Sequence, residues 1–427
     1  MKKVLIISPH FPPSNLAAVH RSRLFAQHLP AFNWQPVILM VDEKYYEEKL
    51  DYNLVELLPE GLHIEKANAL PVTRPRFIGD IGLRAFFQLY KQAKKLVKKE
   101  KIDFIYIAIP SFYVALLGRW LHYSTGVKYG IDYIDPWVHH FPGSDRKFSR
   151  AWFSTVLAKT LEPIAVKKAS LITGVAEGYY MGVLERNMHL KGKCIAGAMP
   201  YGGEKNDFNI LNKLQLQPYL FKKEPNIIDV IYAGVLLPNA VEVFRCFCKE
   251  IYDNKRLFEN VRFHFIGTGK VLNDPTAYYV KNLAAEFEGL WGNMIFEYPQ
   301  RIPYLDVLIH LKAADGVLVI GSTQPHYTPS KVFQGALSGK PILALLHEQS
   351  TAKEVIEMSE CGLTMGFNEE NFQSVFRAQF IQKFKAFLQL VQKYDFSTIN
   401  LKAFEEYSAK SVTAKLADLL NQAVTKK

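Results

Sequence analysis

Short, nearly unbroken apolar runs recur along this chain, separated by helical patterns, and they limit the possible folds more tightly than any other feature. KVLIIS (Lys3 to Ser8), Val37–Val41, FIYIAI (Phe104 to Ile109), VKYGIDYI (Val127 to Ile134) and LITGV (Leu171 to Val175) mark the first half. Helical stretches near Ala17–Leu29, Leu83–Lys99 and Ser149–Lys168 lie between them. Strands apolar on both faces belong to parallel sheets covered by helices on each side. After a polar stretch around Glu204–Asn226 the pattern restarts with IIDVIYAG (Ile227 to Gly234), FHFIGTG, GVLVIG, PILAL and GLTMGF. A chain of 427 residues exceeds one ordinary core. The expectation is two Rossmann-like α/β domains with doubly wound parallel sheets, 1–205 and 226–400. The remainder, 401–427, reads as mostly amphipathic helix able to pack on either domain.

Composition removes several function classes. A hydrophobic content of 49% with 22% charged residues is that of a packed globular protein, not a disordered one. Cys246 and Cys248 stand too close together for a zinc knuckle, and no metal-ligand spacing occurs elsewhere. The opening apolar run ends at Ser8 and Pro9, too short for a signal peptide or membrane span, so a cytoplasmic location is expected. Residues 1–200 carry 27 Lys and Arg against 17 Asp and Glu; the rest carry 25 against 24. The first half is therefore the one to meet an anionic partner. Its run KQAKKLVKKEK (Lys91 to Lys101) is either a solvated helix face or one resting on anionic lipid headgroups at the inner face of a membrane, where each basic residue is worth about 1 kcal/mol. No nucleic-acid module accompanies the charge, and no nucleic-acid partner is expected.

In doubly wound sheets, ligands sit at the carboxyl ends of the strands. The segment PSKVFQGALSGKPILAL (Pro329 to Leu345) follows the strand GVLVIG. Pro329 blocks helix before it, Ser330 is expected to cap a short helix, Gly339 to end it and Pro341 to prevent its return. The amides at such a helix start, with Lys331 and Val332 on the first turn, suit a phosphate or diphosphate, and Gln334 one turn along suits a ribose hydroxyl. IGTGK offers a glycine turn, Gly267-Thr268-Gly269, after another strand. In the first half, SPHFPPSNLAAVHRSR presents His10, Asn15 and Arg21, but Ser14-Asn15-Leu16 replaces any G-x-G-x-x-G fingerprint, against a nicotinamide or flavin enzyme. DYIDPWVHHFPG gathers Asp135, Trp137 and His139 at a strand end, a set that suits a sugar through carboxylate, ring face and imidazole. His139 is equally well an ordinary loop histidine.

Taken in order, these segments resemble glycosyltransferase family 4, retaining enzymes of the GT-B fold. The resemblance runs from SPHFPP and DYIDPW through MPYGGEKNDF (Met199 to Phe208), YAG, FIGTGK and YPQRIPYLDVLIHLKAADGVLVI to PSKVFQGALSGKPILAL and the closing YSAKSVTAKLADLL. It implies a first domain that receives the acceptor, a second that binds a nucleotide-sugar across a facing cleft, and no metal. It also places Arg301, in YPQRIPY, near the donor. The chain departs from the family at the paired acids of E-x7-E, where His326 and Gln334 stand. It departs again in AGVLLPNAVEVFR, which lacks the family's Arg and Lys, and in the missing glycine pair of the first loop. Lys331 is the candidate replacement for the lost cation.

The resulting expectation is a retaining, metal-independent glycosyltransferase of polysaccharide or glycoconjugate biosynthesis, moving a sugar from a nucleoside diphosphate to a glycan or lipid-linked acceptor. Asp135, His139 and Lys331 would serve the reaction, Gly267 to Gly269, Arg301 and Ser330 to Gln334 the donor, and His10, Asn15, Arg21 and Trp137 the acceptor. Two other readings stay open: a sugar-nucleotide 2-epimerase of the same fold, and a non-catalytic glycosyltransferase-like binding subunit.

Overall fold

The computed structural model describes residues 1–73, 78–138, 144–271, 274–324 and 329–426. The chain divides into two compact units, Met1–Tyr201 with Ala409–Lys427, and Gly202–Ser408.

The first unit is built on seven parallel strands: β1 Lys2–Ile7, β2 Trp34–Val41, β3 His63–Ala67, β4 Phe104–Ile109, β5 Lys128–Tyr133, β6 Leu171–Gly174 and β7 Ile195–Ala198. Their order is β3-β2-β1-β4-β5-β6-β7, so the direction of winding reverses between β1 and β4. Every side chain of β4 is buried, as its unbroken apolar sequence requires. One face of the sheet packs Ile105, Ile107 and Ile131 against Ala93 and Leu96 of helix Phe86–Glu100, Leu117 and Leu121 of helix Ala115–Thr125, and Ala158 and Ala165 of helix Arg150–Val166. The other face packs Val4, Ile6 and Tyr106 against helix Ala17–His28 and against Val412, Leu416 and Leu420 of helix Ala409–Thr425. Burying each such leucine contributes about 1.5–3 kcal/mol. Lys128 Nζ donates to the carbonyls of Ala423 and Val424 at 3.1 and 3.0 Å, satisfying helix-end acceptors that have no partner within the helix.

The second unit carries six parallel strands: β8 Ile228–Ala233, β9 Val261–Ile266, β10 Ile295–Tyr298, β11 Gly316–Ile320, β12 Ile342–His347 and β13 Gly362–Phe367. Their order, β10-β9-β8-β11-β12-β13, reverses between β8 and β11. Helix Phe372–Lys393 buries Phe376, Phe380, Phe384 and Phe387 in one stripe at spacings of four and three, the spacing of a single helix face. Phe384 stacks on Phe258 with centroids 4.6 Å apart. The polar stretch before β8 is tied down as well: His310 Nε2 accepts from the amides of Tyr219 and Leu220, both at 3.0 Å. Both units are thus Rossmann-like, each with one winding reversal and therefore one place where neighbouring loops diverge.

Candidate active site

At the reversal in the second sheet, β8 is followed by Gly234 with φ +120°, a backbone region that side-chain-bearing residues rarely adopt. A Cβ there would lie 2.5 Å from Lys331 Nζ, so the glycine opens the space into which the lysine folds. Lys331 begins helix Lys331–Leu337 after β11, and its ammonium sits 5.0 Å from the centroid of the Tyr232 ring. The residue retains some accessible surface, yet the protein packed around its ammonium, with the Arg301 charge beside it, lowers its pKa to about 8. Among the described residues no carboxylate pairs with it. Arg301 is exposed and follows β10, and its Cα is 3.8 Å from where a Cβ on Gly267, after β9, would stand. The carboxyl ends of β8, β9, β10 and β11 therefore bring two cations to one switch point, where the Arg301 charge disfavours the Lys331 ammonium.

The surrounding turn is less available than its sequence suggests. The Gly267 amide donates to the Tyr298 carbonyl at 2.8 Å and the Gly269 amide to the Pro299 carbonyl at 2.9 Å. Neither is free to cradle a phosphate. Thr268 is buried and donates to Glu297 at 2.5 Å; the same carboxylate accepts from the amides of Tyr279 and Lys281. Glu297 thereby fixes the turn. Ser330 is not the expected cap: it already has helical backbone angles, and its side chain makes no capping hydrogen bond. The Val332 amide is taken by the Pro329 carbonyl at 3.2 Å and its side chain is buried. Gln334 is partly exposed on the next turn. His326 lies outside the described residues.

At the reversal in the first sheet the charges are already matched. Arg21 and Asp132 are both buried and form a two-pronged pair, Nε to Oδ2 at 2.6 Å and Nη2 to Oδ1 at 3.1 Å. Nη1 also donates to the carbonyls of Met199 and Pro200 at 2.8 and 2.9 Å. Burial alone would lower the Arg21 pKa, but Asp132 raises it, so the guanidinium is held charged. Thr173 donates to Asp132 Oδ1 at 2.7 Å and shares a hydrogen bond of 2.6 Å with the Tyr106 hydroxyl. Arg21 is therefore a structural clamp between β5 and the segment after β7, not a residue open to an acceptor. Trp137 is likewise part of the core, stacked 6.0 Å from Phe112, and Asn15 is buried. Neither forms an open wall for a sugar. Asp135 does remain at the surface, and the protein around it desolvates its carboxyl enough to raise the pKa to about 6. His139 lies outside the described residues.

One cluster in this unit was not legible from its sequence. His10 Nδ1 is 2.9 Å from Glu48 Oε1, which also accepts from Ser14 Oγ. Burial pushes the Glu48 pKa up, but the His10 and Ser14 hydrogen bonds outweigh it and bring it down to about 2. The ionised carboxylate can only accept, so His10 Nδ1 carries the proton, and in a neutral ring Nε2 is the acceptor. Tyr46 packs on the His10 ring at 4.8 Å and bonds to the Pro9 carbonyl at 3.0 Å, holding the loop.

Solved structures share this architecture. That of Anabaena Alr3699/HepE in complex with UDP and glucose is 14% identical and aligns 99% of this chain with 100% of its own at a TM-score of 0.62. A glycosyltransferase from Rickettsia africae ESF-5 is 13% identical, with coverage of 100% and 99% and a TM-score of 0.61. The chain has the GT-B fold. Sucrose-phosphate synthase from Thermosynechococcus elongatus, 13% identical with 99% of each chain aligned and a TM-score of 0.60, has it too. No protein-family model matches this GT-B chain, and no curated protein does. Among its described residues no three His, Cys, Asp or Glu side chains converge as a metal site, and no helix is long and apolar enough to cross a membrane.

Proposed function

We propose that this GT-B protein is a glycosyltransferase that takes a sugar from a nucleoside diphosphate and transfers it, with retention, to a glycan or lipid-linked acceptor. The observation that carries the reading is Lys331, folded against Gly234 at the β8–β11 switch point beside Arg301 without a carboxylate partner among the described residues. Two cations at that edge suit a diphosphate, and GT-B structures of similar extent hold UDP and glucose or UDP-glucose. In this reaction the acceptor oxygen bonds to the anomeric carbon while the bond from that carbon to the diphosphate oxygen breaks. The acceptor proton passes to the departing phosphate. Lys331 and Arg301 stabilise the charge that develops on the leaving group, in place of a metal ion. His10, with Nδ1 fixed by Glu48, offers Nε2 to an acceptor hydroxyl, and Asp135 offers a carboxylate.

Gln334, standing where an acid of the E-x7-E pair would be, favours a second reading: a subunit that binds donor without turning it over. Incubation with a panel of nucleotide-sugars, with and without acceptor glycans, separates the two. Nucleoside diphosphate release that depends on acceptor supports the transferase. Tight nucleotide binding without release supports the subunit, and no nucleotide binding at all overturns both.

A further inference from the structure

Helix Arg150–Val166 is built the wrong way round for a surface helix. Toward the sheet it buries Ala158, Ala165, Val166 and the carboxylate of Glu162, which needs Arg186 at 2.9 and 3.0 Å to be held there. Toward solvent it turns Phe153, Val156, Leu157 and Ile164, with Phe153 55% exposed. That outward spacing of three, four and seven is the stripe a helix normally buries. The stripe continues sideways. Arg119 of the neighbouring helix donates to the Ile164 carbonyl at 3.4 Å and lies 5.4 Å from the ring of Tyr123, itself 63% exposed. On the far side of the same helix, Trp120 meets Phe87 of helix Phe86–Glu100 at 6.4 Å, and Phe87 is 72% exposed. Just before the inverted helix, Phe148 is held at φ +65°, a strained setting for a bulky residue, with its ring 77% exposed.

We infer that this three-helix face is the surface by which the protein sits on an anionic lipid bilayer. Residues 86–100, 115–125 and 144–168 contain twelve Lys and Arg against three Asp and Glu. A face so charged repels a second copy of itself, which disfavours a symmetric dimer. Exposed tryptophan, tyrosine and phenylalanine ringed by lysines match the chemistry of the headgroup layer, where aromatic rings settle and lysine stems lie along apolar surface with their ammoniums in water. The lysines of helix Phe86–Glu100 are thus the rim of the site, and the apolar stripe of the neighbouring helices is its centre. This proposal does not rest on the donor reading above.

The test is sedimentation with phosphatidylcholine vesicles made with and without phosphatidylglycerol. The intact protein should sediment with the anionic vesicles and release as salt is raised. The variant Phe87→Ser/Phe153→Ser/Leu157→Ser should lose at least about tenfold in partitioning while keeping its melting temperature. Lys147→Gln/Arg150→Gln/Lys159→Gln/Lys168→Gln, which leaves every apolar contact in place, should lose at least as much. The proposal is overturned if the intact protein ignores anionic vesicles, if both variants partition like it, or if ultracentrifugation shows a self-association that the serine variant abolishes.

Discussion

The two sheets reverse direction in the same way, yet their switch points are electrically opposite. Between β1 and β4 the buried Arg21 is matched by Asp132, and the Glu48 carboxylate is held by hydrogen bonds from His10 and Ser14. Between β8 and β11, Lys331 and Arg301 stand together, and Lys331 is left without a carboxylate among the described residues. A neutralised edge offers hydrogen bonds and suits a hydroxyl-rich ligand. An edge whose enclosed lysine meets no carboxylate among the described residues suits a ligand that brings its own negative charge. Topology supplies both places; charge pairing decides what each can hold.

That contrast can be broken from either side. Arg21→Ala strands the buried Asp132 charge and should cost about 3–5 kcal/mol in unfolding free energy, read by denaturant titration. A loss under 1 kcal/mol would show that the pair is not what neutralises the first edge. Gly234→Ala puts a methyl group into the Lys331 ammonium at a φ that disfavours alanine. It should weaken nucleoside diphosphate binding more than tenfold, while Gly339→Ala, also at positive φ but away from Lys331, should leave binding unchanged. Glu48 tests the first edge through pH. Its folded pKa is lowered to about 2 from an ordinary 4.5, so its contribution is present above about 4.5 and lost as pH falls through 2. Glu48→Gln should therefore flatten the stability profile between those values. The smallest effect belongs to Ser330→Ala: with no capping bond to lose, stability should move by less than about 0.5 kcal/mol.

Central strands were legible in the sequence because both faces are buried. FIYIAI and GVLVIG carry no polar residue to interrupt them. The strands that escaped notice, HIEKA at β3, IAGA at β7 and IFEY at β10, are sheet edges, short and half in water, where burial imposes no pattern. The C-terminal segment looked like one amphipathic helix. Its continuity breaks at 406–408 because Leu401–Glu405 packs in the second unit and Ala409–Thr425 in the first. Lys331 was legible from its place after an apolar strand. Its enclosure was not, since Gly234 and Tyr232 lie about a hundred residues away. Arg21 and Trp137 looked open because a polar or aromatic residue near a strand end reads as exposed. Only the fold brings Asp132 to the one and Phe112 to the other.

The central claim is that an enclosed, unmatched lysine makes the second switch point a diphosphate site. Calorimetric titration of UDP and GDP into the protein and into Lys331→Met, at pH 7 and pH 9, tests it most directly. Binding needs the protonated amine, and with a pKa of about 8 that form falls roughly tenfold across this range in the ligand-free protein. The account therefore expects affinity to fall about tenfold from pH 7 to pH 9 in the intact protein. It expects Lys331→Met to bind about 1.5–3 kcal/mol more weakly at pH 7 and to change little with pH, the variant controlling for titration of the nucleotide itself. Equal affinity in both proteins at pH 7, or the same pH dependence in both, would contradict it.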